Sequence, residues 1–197
     1  ALSGRRNDFR LFFEWFRNRE DYENEMLRDN GSFVDPQLDA VRQAIEIFTG
    51  FSQIRIRRNP LRMEVLKGRE NLDVRQLSDG EKCLLALVGD LARRIAIANP
   101  TDKEPLLGSG VVLIDEIDLH LHPAWQRDVL SKLACTFPNC QFIVTTHSPQ
   151  ILGEVEAERV RLLRADPDQG LVAATPERAL GLDSSEVLEE LMDTGRR

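Results

Sequence analysis

Two adjacent carboxylates close an apolar run in "VVLIDE", residues 111–116. At such a place Asp115 and Glu116 repel each other and lose solvation unless a cation or polar ligand joins them. A phosphate-bound Mg²⁺ meets that need, because it takes one or two carboxylates and completes its shell with substrate oxygens and water. Asp115 would serve the metal, and Glu116 would face an attacking water as general base. A solvated acidic pair where a strand meets a loop is the other reading, and this pattern alone leaves both open.

A second apolar run ends in polar residues, "FIVTTHSPQ", residues 142–150. His147 there can donate to a phosphate oxygen or to the attacking water, or it can cap the following helix. In "QLSDGEKCLLALVGDL", residues 76–91, Ser78 precedes Glu81 by three positions, the spacing of a capping box. The N–H groups behind Gly80 can equally hold a phosphate at a helix N-terminus. Glycine in a first helical turn sacrifices helix propensity but lets a phosphate approach the backbone. His120 and His122 alternate in "IDLHLHP", residues 117–123. Two imidazoles do not make a zinc site, and no Cys or third free His completes one, so no structural metal is expected. His122, just before Pro123, reads as a helix-entry residue or an interface contact.

These residues need elements to position them. "GVVLID" and "QFIVTT" are continuous apolar runs, as strands buried on both faces should be. Leu84, Leu87, Val88, Leu91 and Ile95 mark one face of a helix over 79–98, which Asn99-Pro100 closes. Pro123 opens another helix, with Trp125, Val129, Leu133 and Phe137 aligned. Upstream, Asp35-Pro36 starts a helix whose face is Leu38, Val41, Ile45 and Phe48, and Gly50 ends it. "SQIRIRR" and "RMEVLKG" read as an antiparallel pair. Arg55, Arg57, Arg58 and Arg62 gather there, on an exposed sheet face or against nucleic acid or an acidic partner. Phe9, Phe12, Phe13 and Phe16, with Trp15 beside them, lie in a helix over 8–28. Its first half should dock on a core and its charged second half should project into solvent, with a docking surface for a partner subunit as the alternative. "RVRLLRAD" and "GLVAAT" form a hairpin about "DPDQG", and a last helix covers 184–192. Strands alternating with helices imply an α/β domain with a largely parallel core sheet.

Composition bounds the function. The 197 residues, 42% hydrophobic and 30% charged, suit one domain with a real core, or one and a half small lobes. A net charge of −7 excludes a surface that binds nucleic acid everywhere but leaves room for a local basic patch. No apolar run approaches the roughly 18 residues of a membrane span. The start lacks a secretory cleavage site and an initiating Met, so the true N-terminus is expected to lie upstream. Three cysteines without a CxxC pair suit free thiols in a reducing, cytoplasmic setting.

The order of the motifs is more specific than any one of them. "LSDGE" (77–81) resembles the signature of ABC-type ATPase heads, "VVLIDE" (111–116) the Walker B strand, "IDLHLH" (117–122) the D-loop region and "TTH" (145–147) the switch histidine. The resemblance covers residues 51–175. "LIDEIDLHLHPAWQRDVL" and "FPNCQFIVTTHSPQIL" are closer still to stand-alone AAA-family ATPases, the RecF-like and OLD-like heads and the PtuA-type ATPases of Septu and retron anti-phage systems. The family's phosphate-cradling G-x-x-x-x-G-K-[ST] loop is absent. Many ABC proteins also have Asp where His122 falls, so that His reads as a marker of the RecF/OLD-like branch.

The resemblance implies a P-loop NTPase fold, C-terminal portion, with the Walker A lobe missing. Residues 1–50 would be a helical arm packed on the head, and residues 51–197 the head itself. It implies ATP and Mg²⁺ as ligands, with Asp115 on the metal, Glu116 as base and His147 orienting the γ-phosphate. Leu77, Ser78, Asp79, Gly80 and Glu81 would close on the ATP of a second protomer, with Asp118, His120 and His122 at the interface. The implied partners are a second head, self or related, in a head-to-tail dimer, an effector nuclease subunit, and DNA or RNA, with no membrane. The parent would be an ATPase acting in phage defence or DNA repair, and this chain alone would be inactive. Two other readings stay open, a non-catalytic scaffold and the head of an OLD-type nuclease.

Overall fold

Asp35 and Pro36 set the first helix boundary. In the computed structural model, which describes residues 2–100, 104–119, 121–168 and 170–192 (backbone only for 2–8), Asp35 caps the N–H of Leu38 at 2.9 Å. The helix that follows, α2, runs Pro36–Thr49 and ends at Gly50, whose φ of 73° needs a residue without a Cβ. Its face of Leu38, Val41, Ile45 and Phe48 is fully buried, as the periodicity predicts. Preceding it, α1 spans Leu2–Asn30. After it come β1 (Ser52–Arg58), β2 (Leu61–Lys67) and β3 (Glu70–Asp73), an antiparallel sheet in that order. The sequence shows the first two strands; β3 is too short and polar to announce itself.

The helix α3 (Asp79–Ala98) packs against both α1 and α2. Gly89 is the contact point with α1, since a Cβ there would meet the Phe12 ring at 2.8 Å. Phe12 and Phe16 are fully buried, so the first half of α1 docks as expected. The second half is exposed over residues 24–30 apart from the half-buried Met26, as expected, but two of its carboxylates turn inward. Glu20 and Glu23 are 6% and 7% exposed. Glu20 accepts the N–H of Ile56 on the outer edge of β1 (3.1 Å), and Glu23 accepts the N–H of Asp35 (3.1 Å). Charged letters therefore satisfy backbone donors here instead of water, with Arg42 (2.8 Å to Glu23) and Arg58 (3.1 Å to Glu20) balancing the charge.

The strand β4 (Gly110–Ile114) pairs with β5 (Cys140–Val144), joined through α4 (Pro123–Thr136). Thr145, just past β5, donates to Ile114 O and accepts from the N–H of Ile117, both at 3.0 Å. One residue bonding two different residues of the facing chain is the parallel pattern, here stretched to residues three apart by the turn at Glu116. Among the described residues the parallel pairing is thus this one pair, and the other two sheets are antiparallel. Nor are the strands covered on both faces. Val111, Leu113 and Ile143 are 59%, 76% and 51% exposed. An apolar run records the burial a strand is built for; burial itself needs a second layer, which the described residues do not lay over that face.

The chain forms two compact units, Ala1–Leu113 with Ser131–Ile143, and Ile114–Leu130 with Val144–Arg197. In the second, α5 (Pro149–Leu152), the hairpin of β6 (Leu162–Asp166) and β7 (Gly170–Ala174), and α6 (Ser184–Glu190) follow in order. Their core is Val160, Ala179, Val187 and Leu191.

Candidate functional site

Thr145 is the centre of the site. Its hydroxyl donates to Asp115 Oδ1 at 2.5 Å and accepts the N–H of Glu116 at 2.8 Å. One side chain at the end of β5 thus holds both adjacent carboxylate residues at the end of β4. Glu116 sits at φ 49°, a left-handed conformation that a non-glycine residue adopts at a cost. Asp115 and Glu116 are exposed.

Asp118 anchors the other half. Its Oδ1 accepts the Thr146 hydroxyl at 2.5 Å and the His147 N–H at 3.2 Å. Its carbonyl accepts from Gln126 Nε2 at 3.3 Å, and the same amide group reaches Leu121 O at 3.0 Å. Ser148 donates to Gln126 Oε1 at 2.7 Å and caps the N–H of Ile151. The loop carrying His147 is therefore held from both sides, and the cap of α5 is Ser148, not His147. The His147 side chain is exposed.

His122 is the helix-entry residue. Its Nδ1 accepts the N–H of Ala124 at 3.2 Å, its carbonyl accepts from Trp125 at 2.8 Å, and its ring meets that indole edge-on. His120 lies outside the described residues. Among the described residues no group of three or more His, Cys, Asp or Glu could hold a metal ion. A single exposed carboxylate steered by a hydroxyl instead fits a Mg²⁺ that brings phosphate oxygens and water with it.

In the other unit, Ser78 caps α3. Its Oγ accepts the Glu81 N–H at 3.3 Å, and Glu81 Oε2 accepts the Ser78 N–H at 2.9 Å, a complete capping box. Lys67 holds the second Glu81 oxygen at 2.6 Å. Burial alone would push the Glu81 carboxyl up; Lys67 and the Ser78 N–H and hydroxyl outweigh it and hold it below the usual range. Leu77 is buried and anchors the helix entry, while Ser78 and Asp79 are exposed. Sequence reasoning missed the roles of Thr145, Gln126 and Lys67. The two threonines before His147 were a signal for the first; a Gln inside α4 and a Lys ending β2 give none.

Comparison with known proteins gives the family and the fold type. Residues 3–153 match the family described as "AAA domain, putative AbiEii toxin, Type IV TA system". The chain is 43% identical over 185 residues to the "Retron Ec83 probable ATPase" of Escherichia coli, covering 90% of this chain and 33% of that protein. It is 38% identical over 186 residues to the "Retron Vc95 probable ATPase" of Vibrio cholerae serotype O1 biovar El Tor, covering 93% and 35%. Septu protein PtuA of Bacillus mycoides (strain KBAB4) is 35% identical over 144 residues, covering 72% and 20%. The chain thus spans about a third of the length of the two retron proteins. Among solved structures, the SMC head domain from Thermotoga maritima superposes with a TM-score of 0.54 at 17% identity, covering 79% of this chain and 52% of that one. A chain from work on ATP-driven dimerization and DNA stimulated activation of SMC ATPases gives 0.52 at 21%, covering 89% and 98%. These two likenesses establish the SMC/ABC-head type of α/β fold. The chain belongs to this AAA-domain family, and over most of its length it is similar to the retron ATPases and Septu PtuA.

Proposed function

We propose that this chain is the portion of an ATPase head that positions the hydrolytic water and answers a second head. Asp115 would hold the Mg²⁺ of Mg-ATP, which when bound neutralises phosphate charge. Glu116 takes the proton of the attacking water, and His147 orients the γ-phosphate. The rest of the polypeptide supplies the phosphate-cradling loop. Ser78, Asp79, Gly80 and the N-terminus of α3 close on the ATP of another protomer, with Leu77 and Glu81 fixing that helix end and Asp118, His120 and His122 near the dimer interface. Residues 1–50 form an arm on the head formed by 51–197. The ATP-driven dimer controls an effector subunit in anti-phage defence, in the cytoplasm, a setting that suits three cysteines outside any disulfide.

The observation that carries this reading is the Thr145 hydroxyl shared between Asp115 and the Glu116 N–H. A solvated acidic pair needs no such bridge, whereas catalysis by positioning requires both carboxylates held in fixed relation. The test is ATP turnover and dimerisation of the full-length protein. Wild type hydrolyses ATP, and Glu116→Gln binds it, stalls and accumulates as a dimer by light scattering. Unchanged turnover in Glu116→Gln sinks the assignment.

A further inference from the structure

The outward face of the β1–β2–β3 sheet carries chemistry that the nucleotide site does not use. The register sets Arg55 opposite Glu64 and Arg57 opposite Arg62. Residues paired across a ladder share a face. The other face holds Ile54, Ile56, Met63 and Val65, all buried. On the outward face, Glu64 accepts from three guanidiniums, Arg57 Nε and Arg62 Nε at 2.8 Å and Arg55 at 3.3 Å. The Glu64 side chain is 8% exposed, while those of Arg55, Arg57 and Arg62 are 38%, 51% and 32% exposed. Hydrogen bonds from Arg57 and Arg62 hold the Glu64 carboxyl below its usual range, so it is a fixed anion under a fan of cations. Asp73, opposite Glu64 on the third strand, is taken by Arg75 at 2.6 Å.

Four guanidiniums thus stand against two carboxylates, a local excess of positive charge on a chain whose net charge is −7. Like charges placed directly across a ladder, as Arg57 and Arg62 are, destabilise a sheet. One buried carboxylate makes the cluster tolerable without cancelling it. The bond from Arg57 to Glu64 engages one guanidinium nitrogen, which leaves much of the planar fork to face water. Such forks match phosphate oxygens two at a time. Arg55 and Arg57, two residues apart on one strand, repeat the fork at about 7 Å. A row of forks suits a row of phosphates better than a single anion.

We propose that this face binds the phosphate backbone of a nucleic acid, without reading its sequence. The inference is independent of the nucleotide site, and its test uses no ATP. The full-length protein is titrated against a fluorescent DNA duplex and a single strand, by anisotropy, between about 50 and 200 mM salt. Wild-type affinity falls linearly on logarithmic axes. Arg55→Ala with Arg57→Ala lowers the slope by about two and weakens binding by roughly tenfold or more. Should that pair not fold, Arg57→Ala alone, which leaves Arg55 and Arg62 on Glu64, lowers the slope by about one. Arg57→Lys keeps the slope. Glu64→Gln tightens binding although it lowers the melting temperature, a divergence that a purely structural role does not produce. An unchanged slope in the arginine variants overturns the proposal. So does wild type that binds poly-glutamate as tightly as DNA, which would mark the face as a site for acidic protein.

Discussion

The Asp118 carboxylate accepts the backbone N–H of His147 at 3.2 Å while holding the hydroxyl of Thr146 at 2.5 Å. A residue one turn past the paired carboxylates thereby fixes the loop that carries the histidine. On this geometry we expect Asp118 to act as a positioning residue. In the full-length protein Asp118→Ala lowers kcat by about a hundredfold, the scale of a 1 Å misplacement, with KM for ATP little changed. Asp118→Asn retains an acceptor oxygen and recovers most of the loss. Steady-state ATPase assays of both variants decide it, and equal loss in both would show that the charge, not the hydrogen bond, matters.

Thr145 separates two effects. Thr145→Val keeps the shape and removes the hydroxyl, so Asp115 loses its donor and the Glu116 N–H its acceptor. Turnover falls about tenfold to a hundredfold, and the Mg²⁺ concentration for half-maximal rate rises, because the metal-facing carboxylate is no longer steered. Thr145→Ser stays near wild type. A Mg²⁺ titration of the three proteins measures this.

Ser78 offers a way to divide capping from phosphate contact. Ser78→Ala loses a cap worth about 1 kcal/mol, whereas Ser78→Gly costs only a few tenths. If the hydroxyl also meets a second protomer's phosphate, both variants weaken ATP-dependent dimerisation alike. Melting curves then rank the variants differently from sedimentation with ATP. Matching ranks would confine Ser78 to its own helix.

Much of this was legible in the sequence because it rests on local grammar. Asp35-Pro36 with Gly50, the Ser78–Glu81 box, and the Asp166–Gly170 turn each announce themselves within a few residues. The paired carboxylates and His147 stand just past the ends of two paired strands, and that much followed from topology. What stayed hidden were long-range uses of polar residues. Glu20 reaches Ile56 across 36 positions and Glu64 gathers three arginines, and no periodicity encodes such partners. The exposure of Leu113 was hidden for the opposite reason: its neighbours' apolarity says what the strand is built to meet, not what lies over it.

The buried carboxylates titrate in opposite senses. Glu64 and Glu81 lie below the ordinary value of 4.5, so the stability they give is full above it and is lost as pH falls through their folded values. Glu20 lies above 4.5, because burial outweighs the Ile56 N–H and the Arg58 and Arg42 charges. Its ionised form opposes folding at neutral pH, and that opposition eases as pH falls through its folded value. Glu64→Gln therefore flattens the loss of stability below about pH 4.5, and Glu20→Gln changes the profile only above it. Urea melts across pH check both signs.

The contact of Gly89 with Phe12 sets up a sign test for how α1 is held. Alanine at an exposed helix position gains about 1 kcal/mol over glycine. At residue 89 the new Cβ would stand 2.8 Å and 2.9 Å from two atoms of the Phe12 ring, which is itself fully buried. Phe16 is tilted against the ring at 5.8 Å between centroids, which restricts how it can turn aside. Overpacking of this kind costs about 1–3 kcal/mol, which exceeds the propensity gain. Gly89→Ala is therefore destabilising, and Phe12→Leu in the same chain relieves part of the clash, so the double variant is more stable than the sum of the two singles. A double-mutant cycle by denaturant melts reads the coupling. Additive effects would place α1 on α3 through some contact other than Phe12 and Gly89.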